Sequence, residues 1–265
     1  MSLFVFDVDG TLIDRDQVFK KSTIKSLEKL LKEDNIVAIA SGRSYFGIRK
    51  FFDCVNAPKN KKYCICTNGS EVTDYDGNTL FKSPLKLKDY KDIFKFFEND
   101  NNVVCFCYYK NFIGYFKESD FLDWECNSNN MKPLKFFKND DDNINIEKVI
   151  CFSSKLNYFS TLNIDNKFKE KYNIVQSSRY FLEFEPKGID KSAGVNVLKE
   201  HLQIDGKDIY TFGDAGNDLE MIKKFNGIAM GNAIDDVKKV AKYVTLDVKE
   251  DGVSYALKNI LKVIK

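Results

Sequence analysis

The run Leu3-Phe4-Val5-Phe6 leads straight into Asp7-Val8-Asp9-Gly10-Thr11-Leu12. A short apolar run of this kind reads as a buried strand, and Gly10 and Thr11 end it. Asp7 therefore stands at the carboxyl end of the strand, the edge at which open α/β sheets bind their ligands. Two carboxylates one residue apart can divide labour: one attacks or holds a metal, while the other, further out on the turn, handles protons.

The rest of the chain repeats this strand-then-helix rhythm. Ser22-Thr23 is read as the cap of a helix whose Ile24, Leu27, Leu30 and Leu31 form one apolar stripe. Ile36–Ala40 is a fully apolar strand that runs into Ser41-Gly42-Arg43, with a helix expected from Ser44 to Phe52. Tyr63–Cys66 is a third strand, ending in Thr67-Asn68-Gly69-Ser70, and Asp76-Gly77 marks a hairpin between Glu71–Tyr75 and Asn78–Phe81. Alternation of this kind predicts a parallel sheet.

From about Pro84 the pattern turns to α+β. A helix carries Leu87, Tyr90, Phe94 and Phe97, strands follow at Val103–Tyr109 and Phe112–Phe116, and a polar loop spans Lys138 to Asn145. A strand at Val149–Phe152, a helix near Tyr158–Lys171 and strands at Ile174–Ser177 and Tyr180–Phe184 complete this part. The βα rhythm then resumes with a helix at Ser192–Leu202, a strand at Ile209–Phe212 and a helix through Leu219 and Ile222. The segment Gly227–Ala233 precedes a helix with Val237 and Ala241, a strand at Tyr243–Leu246 and a last helix striped by Val253, Leu257, Ile260 and Ile264. The expectation is a Rossmann-like parallel-sheet core, discontinuous over 1–83 and 185–265, with an inserted α+β domain over 84–184.

Strands lying parallel in one sheet would bring four strand-end motifs together. Asp214, in Gly213-Asp214-Ala215-Gly216-Asn217-Asp218, would face Asp7 across the sheet edge. Like charges that close need a cation, and oxygen-only ligands with open water positions suit Mg2+. A hydroxyl and a helix start at Ser41-Gly42 suit an anion. The segment Pro186-Lys187-Gly188-Ile189-Asp190-Lys191, which precedes Gly213-Asp214 in the chain, offers two competing lysines, Lys187 and Lys191, either of which reads on its own as a solvated surface charge.

The opening motif and its partners resemble the haloacid dehalogenase (HAD) superfamily of phosphohydrolases. Gly213–Asp218, Ala229-Met-Gly-Asn-Ala233 and Glu250-Asp-Gly-Val253 are similar to its Cof-type branch, a likeness that covers nearly the whole core. The resemblance implies that Asp7 is the nucleophile and forms an aspartyl phosphate. It implies that Asp9 is the general acid and base, its backbone carbonyl joining Asp7 and Asp214 on Mg2+. By the same likeness Ser41, Gly42 and Lys191 bind phosphate, with Asn68 and Asn217 near the phosphate or the metal and Asp218 around the metal. Arg43 is left between an ion pair and a substrate contact. The resemblance also implies that the insertion is a cap that selects small phosphorylated metabolites, with sugar phosphates favoured. A phosphomannomutase-like phosphosugar mutase is the nearest rival, and a phosphometabolite-binding regulator with little turnover is a second.

Other classes fall away on composition. With 41 basic and 39 acidic residues the net charge is +2, so there is no polybasic footprint for nucleic acid. No apolar stretch reaches the ~18 residues of a membrane span. The seven cysteines are odd in number, and Cys64/Cys66 and Cys105/Cys107 have strand spacing rather than zinc spacing, which favours reduced thiols and a cytoplasmic protein. His201 is the only histidine and lies outside every strand-end motif, so a Ser-His-Asp mechanism has no base.

Overall fold

A computed structural model describes residues 1–14 and 16–265. It divides into two units, 1–81 with 190–265, and 82–189. In chain order the first unit begins with β1 (Leu3–Phe6), α1 (Lys21–Lys32), β2 (Ile36–Ala40), α2 (Tyr45–Asp53), β3 (Lys62–Cys66), β4 (Glu71–Asp74) and β5 (Thr79–Lys82). The second unit follows with β6 (Leu85–Lys86), α3 (Leu87–Phe97), β7 (Val104–Tyr109), β8 (Phe112–Tyr115), α4 (Phe121–Asn129) and β9 (Lys132–Lys135). It ends with β10 (Asn145–Ile146), β11 (Val149–Phe152), α5 (Asn166–Lys171), β12 (Tyr172–Val175) and β13 (Phe181–Pro186). The first unit resumes with α6 (Lys191–Leu202), β14 (Ile209–Gly213), α7 (Leu219–Lys224), β15 (Asn226–Ala229), α8 (Asp235–Val240), β16 (Tyr243–Val244) and α9 (Gly252–Tyr255).

The first unit's sheet has the order β16-β15-β14-β1-β2-β3-β4-β5, parallel from β16 to β3. Every residue of β1, β2 and β3 is buried. Successive side chains of a strand point to opposite faces, so both faces of this sheet are covered, as a doubly wound α/β fold requires. The stripe of α1 is part of that cover, with Leu27, Leu30 and Leu31 wholly buried, each worth roughly 1.5–3 kcal/mol. From β1 the chain steps outward through β2 and β3, and from β14 it steps the other way through β15 and β16. The switch point therefore lies between β1 and β14, whose carboxyl ends form a crevice. Phe6 pairs with Phe212 in register, so Asp7 stands level with Gly213, and Asp214 follows one residue further out on the adjacent strand.

In the second unit a six-stranded sheet, β12-β13-β11-β7-β8-β9, packs α3 and α5 against one face through Tyr90, Ile93, Phe97 and Phe168. The other face carries Phe106, Tyr108 and Ile150 against Leu122 and Cys126 of α4. No helix of the described residues is long and apolar enough to cross a membrane.

Several local expectations are corrected. Helix α1 starts at Lys21 with no side-chain cap, so Ser22 and Thr23 fall inside its first turn, and Thr23 instead hydrogen-bonds Asp251 just before α9. The helix expected at Tyr158–Lys171 is a single 3-10 turn at Tyr158–Thr161 followed by α5, which Asp165 caps through the Lys167 N–H. Helix α4 was not foreseen. Its buried positions are Leu122, Glu125, Cys126 and Asn129, a helical stripe that is half polar. Those polar members are satisfied locally, Tyr108 and Asn129 both donating to Glu125. The last helix turns wide at Ala256–Ile260 and stops short of Ile264.

Candidate active site

Asp7 is buried immediately beyond β1, its N–H donating to the Phe212 carbonyl at 3.0 Å. Lys191, on the first turn of α6, is wholly buried and donates 2.6 Å hydrogen bonds to Asp7 Oδ1 and Asp218 Oδ1. The other Asp218 oxygen accepts the N–H groups of Asp214 and Ala215 at 2.9 and 3.0 Å, which ties the loop after β14 into a tight cradle. Asp7, Asp214 and Asp218 bring carboxylate oxygens within 4.8 Å of one another. Lys187, the competitor of Lys191, is spent in the second unit, donating to the carbonyls of Lys169 and Tyr172.

Three carboxylates around one ammonium leave an excess of negative charge. Burial, then the neighbouring Asp218 and Asp214 charges, push the Asp7 carboxyl well above the usual carboxylate range against the pull of Lys191. Burial, then Asp218, raises Asp214 to about 7. Lys191 is held charged: burial works against it, but Asp218 and Asp7 more than offset that. Asp214 Oδ1 is buried with no hydrogen-bond partner among the described residues. An unpartnered buried carboxylate oxygen beside Asp7, in an oxygen-only set with surplus negative charge, fits a hard divalent cation.

Asp9 faces another way. Its side chain is 49% exposed and is gripped by Arg43, Nε to Oδ2 at 2.9 Å and Nη2 to Oδ1 at 2.7 Å, with Gln17 Nε2 at 3.4 Å from Oδ1. Partial desolvation would raise its pKa, but the Arg43 hydrogen bonds and charge hold it below the usual carboxylate range. Arg43 therefore makes an ion pair. The metal role expected of Asp9 concerned its main-chain oxygen, so its carboxylate is absent from the acidic trio without bearing on that role.

Ser41 lies buried just past β2, its Oγ accepting the Arg43 N–H at 3.3 Å. Gly42 does not open a helix as expected: α2 begins at Tyr45, capped by Ser44, and Gly42 sits in the turn before the cap. There it meets Asn68, whose amide would lie 3.3 Å from a Cβ at Gly42. Asn68 is buried in a left-handed conformation (φ 51°), and its Oδ1 accepts from Asn217 Nδ2 at 3.1 Å. Ser41, Gly42, Asn68 and Asn217 thus share the rim with Asp7. Gly10 (φ +94°) is required beside them, since a Cβ there would stand 2.3 Å from Asp214 Oδ2.

Two residues with no role in the sequence reading join this set: Gln17, beside Asp9, and Asn232, whose Nδ2 lies 2.8 Å from the Gly10 carbonyl and 3.3 Å from Asp214 Oδ2. The only sequence signal for Asn232 is its place in Ala229–Ala233. A cavity of about 570 Å3 opens beside them, lined by Asp9, Asp14, Gln17, Asp214, Asn232 and Asp247.

The sequence matches the haloacid dehalogenase-like hydrolases over residues 4–257. The chain belongs to that family. Within it the chain falls in the Cof-type phosphatase branch, as the motif wording implied. It is 28% identical to the putative phosphatase YkrA of Bacillus subtilis over 261 residues, 97% of each chain. It is 29% identical to the 5-amino-6-(5-phospho-D-ribitylamino)uracil phosphatase YcsE of the same organism, covering 98% of this chain and 95% of that one. A haloacid dehalogenase-like hydrolase from Bacteroides thetaiotaomicron superposes with a TM-score of 0.84 at 26% identity, over 98% of this chain and 99% of that one.

Proposed function

We propose that this HAD hydrolase is a Mg2+-dependent phosphomonoesterase of small phosphorylated metabolites, working through an aspartyl phosphate on Asp7. The observation that carries the reading is the Asp7–Lys191–Asp218 chain beside the unpartnered Asp214 Oδ1. Asp7, Asp214 and the Asp9 carbonyl would hold the metal, which when bound supplies positive charge against the phosphoryl oxygens.

The residues divide the remaining work. Lys191 fixes Asp7 Oδ1 and puts an ammonium where phosphate charge gathers. An Asp7 oxygen attacks phosphorus, the ester oxygen departs with the Asp9 proton, and Asp9 then takes a proton from the water that attacks the acyl phosphate, restoring Asp7 and releasing phosphate. The Arg43 grip keeps Asp9 ionised, which suits the second half of this cycle; substrate entry must loosen it for the first. Ser41 Oγ and the Gly42 N–H serve the phosphate, with Asn68 and Asn217 setting the rim.

The second unit is assigned the choice of substrate. Sugar and sugar-alcohol phosphates are favoured, in keeping with the phosphorylated ribityl chain in the name of the YcsE substrate. Seven free thiols, six of them buried, suit a reducing compartment, and we place the enzyme in the cytoplasm.

The test is phosphate release from a panel of sugar phosphates, nucleotides and phosphorylated cofactors, with Mg2+ or chelator. Mg2+-dependent release that Asp7→Asn abolishes is expected. No release from any compound by the folded protein would overturn the hydrolase reading, and phosphoryl transfer between sugar phosphates in its place would favour the mutase.

A further inference from the structure

Asn232 stands on the segment after β15 and reaches three separate loops. Its Nδ2 donates to the Gly10 carbonyl, on the loop after β1, and to Asp214 Oδ2, on the loop after β14. Its Oδ1 accepts the Val248 N–H at 2.9 Å, on the loop after β16. The amide orientation follows from the partners: a main-chain N–H needs an acceptor, and a carbonyl and a carboxylate need donors. A carboxamide carries both in one short side chain, so neither Asp nor Leu could replace it without leaving these groups unsatisfied.

The segment carrying Asn232 is itself anchored at both ends. The Gly231 N–H donates to the Leu246 carbonyl at 2.9 Å, and the Ile234 N–H donates to the Asp214 carbonyl at 3.0 Å. Asn232 thus completes a clasp over a backbone frame that already holds the Asp214 and Leu246–Val248 loops together. With Oδ2 of Asp214 engaged, Oδ1 is the oxygen left without a partner among the described residues, on the same carboxylate that groups with Asp7. Carboxylates that ligate metals are commonly held by an outer hydrogen bond of this kind.

We propose that Asn232 is the positioning residue of the metal-holding carboxylate, orienting Asp214 and locking the loops after β14 and β16 to the nucleophile loop. The proposal rests on the reading of Asp214 as a metal ligand, and it assigns Asn232 no contact with substrate. Loss of the clasp would loosen Asp214 and lower affinity for the divalent ion by roughly 10–100-fold. Excess metal would then restore turnover, since the reacting groups themselves are intact.

The experiment is Mg2+ titration by calorimetry, without substrate, of the parent, Asn232→Ala and Asn226→Ala. Asn226 is the control: its amide also staples main chain, to the Lys207 and Ile209 carbonyls, but touches nothing in the site. A 10–100-fold weaker Mg2+ Kd for Asn232→Ala is expected, with an unchanged Kd for Asn226→Ala and with kcat of Asn232→Ala near the parent value at saturating Mg2+. Should Asn232→Ala not fold, Asn232→Ser, too short to span three loops, is expected to show the same loss. A Kd within twofold of the parent in a folded Asn232 variant overturns the proposal, as does an equal loss in Asn226→Ala. A parent that binds no Mg2+ and releases no phosphate refutes the phosphatase reading instead.

Discussion

Replacing Lys191 by Met removes the ammonium that lies among Asp7, Asp218 and Asp214 while roughly keeping the volume. Lys191 is wholly buried and holds two carboxylates at 2.6 Å each. Breaking a buried pair by deleting one partner costs about 3–5 kcal/mol, because the remaining charge stays buried without compensation. In a domain of this size that is a fall in Tm of roughly 6–20 °C. The loss has a pH signature. The lysine's pKa is raised in the fold, so its stabilisation is whole below its ordinary value of 10.5 and fades only as pH rises through the higher folded one. Across neutral pH the lysine is therefore constant, whereas Asp214, raised to about 7, titrates there. Asp7 and Asp214 are already raised, and without Lys191 they rise further, so protons replace the ammonium at low pH. Urea unfolding of parent and Lys191→Met in chelator should show a smaller difference at about pH 5 than at about pH 8, and Mg2+ should restore part of the loss. A variant within about 1 kcal/mol of the parent at the higher pH would refute the charge argument.

Other outcomes follow from the same geometry. Asp9→Asn should lower kcat by about 10²–10⁴-fold while leaving Mg2+ affinity within a few-fold, as steady-state kinetics and calorimetry would show. Arg43→Ala frees Asp9 to titrate higher, so the limb of the pH–rate profile on which activity falls as Asp9 loses its proton should move to higher pH; an unmoved limb would separate Arg43 from Asp9 control. Gly10→Ala forces a Cβ to within 2.3 Å of Asp214 Oδ2 at φ +94° and should weaken Mg2+ binding more than it lowers Tm. In chelator, parent stability should fall as pH rises from the usual carboxylate range towards about 7, because the folded state binds the Asp214 proton more tightly than the unfolded one; Asp214→Asn should flatten that slope.

The core is readable from the sequence because its buried strands are continuous apolar runs, as in β1 and β2, each ended by the polar residues proposed to do the chemistry. That pattern placed Asp7, Ser41 and Asp214 at one sheet edge before any coordinates. What resisted was structure whose signal is polar. Helix α4 buries Glu125 and Asn129 in its stripe, so periodicity of apolar residues alone misses it. The cap expected at Ser22-Thr23 is not formed, and Thr23 finds its partner more than two hundred residues away at Asp251, a contact no local rule sees. The break before α5 turns on one capping aspartate, Asp165, in a stretch that otherwise scans as helix. Within the site, the Arg43–Asp9 ion pair is not legible in the sequence, because it joins side chains 34 positions apart on two separate loops. Asn232 escaped notice because an isolated Asn after a short strand reads equally well as a turn.

The most direct measurement is mass spectrometry of the peptide carrying Asp7 after rapid acid quench of turnover, in the parent and in Asp9→Asn, where hydrolysis of the acyl phosphate is slowed. A gain of one phosphoryl group on Asp7, greater in Asp9→Asn and absent in Asp7→Asn, is expected. Full phosphate release with no phosphoryl group on Asp7 in either protein would contradict nucleophilic attack by Asp7.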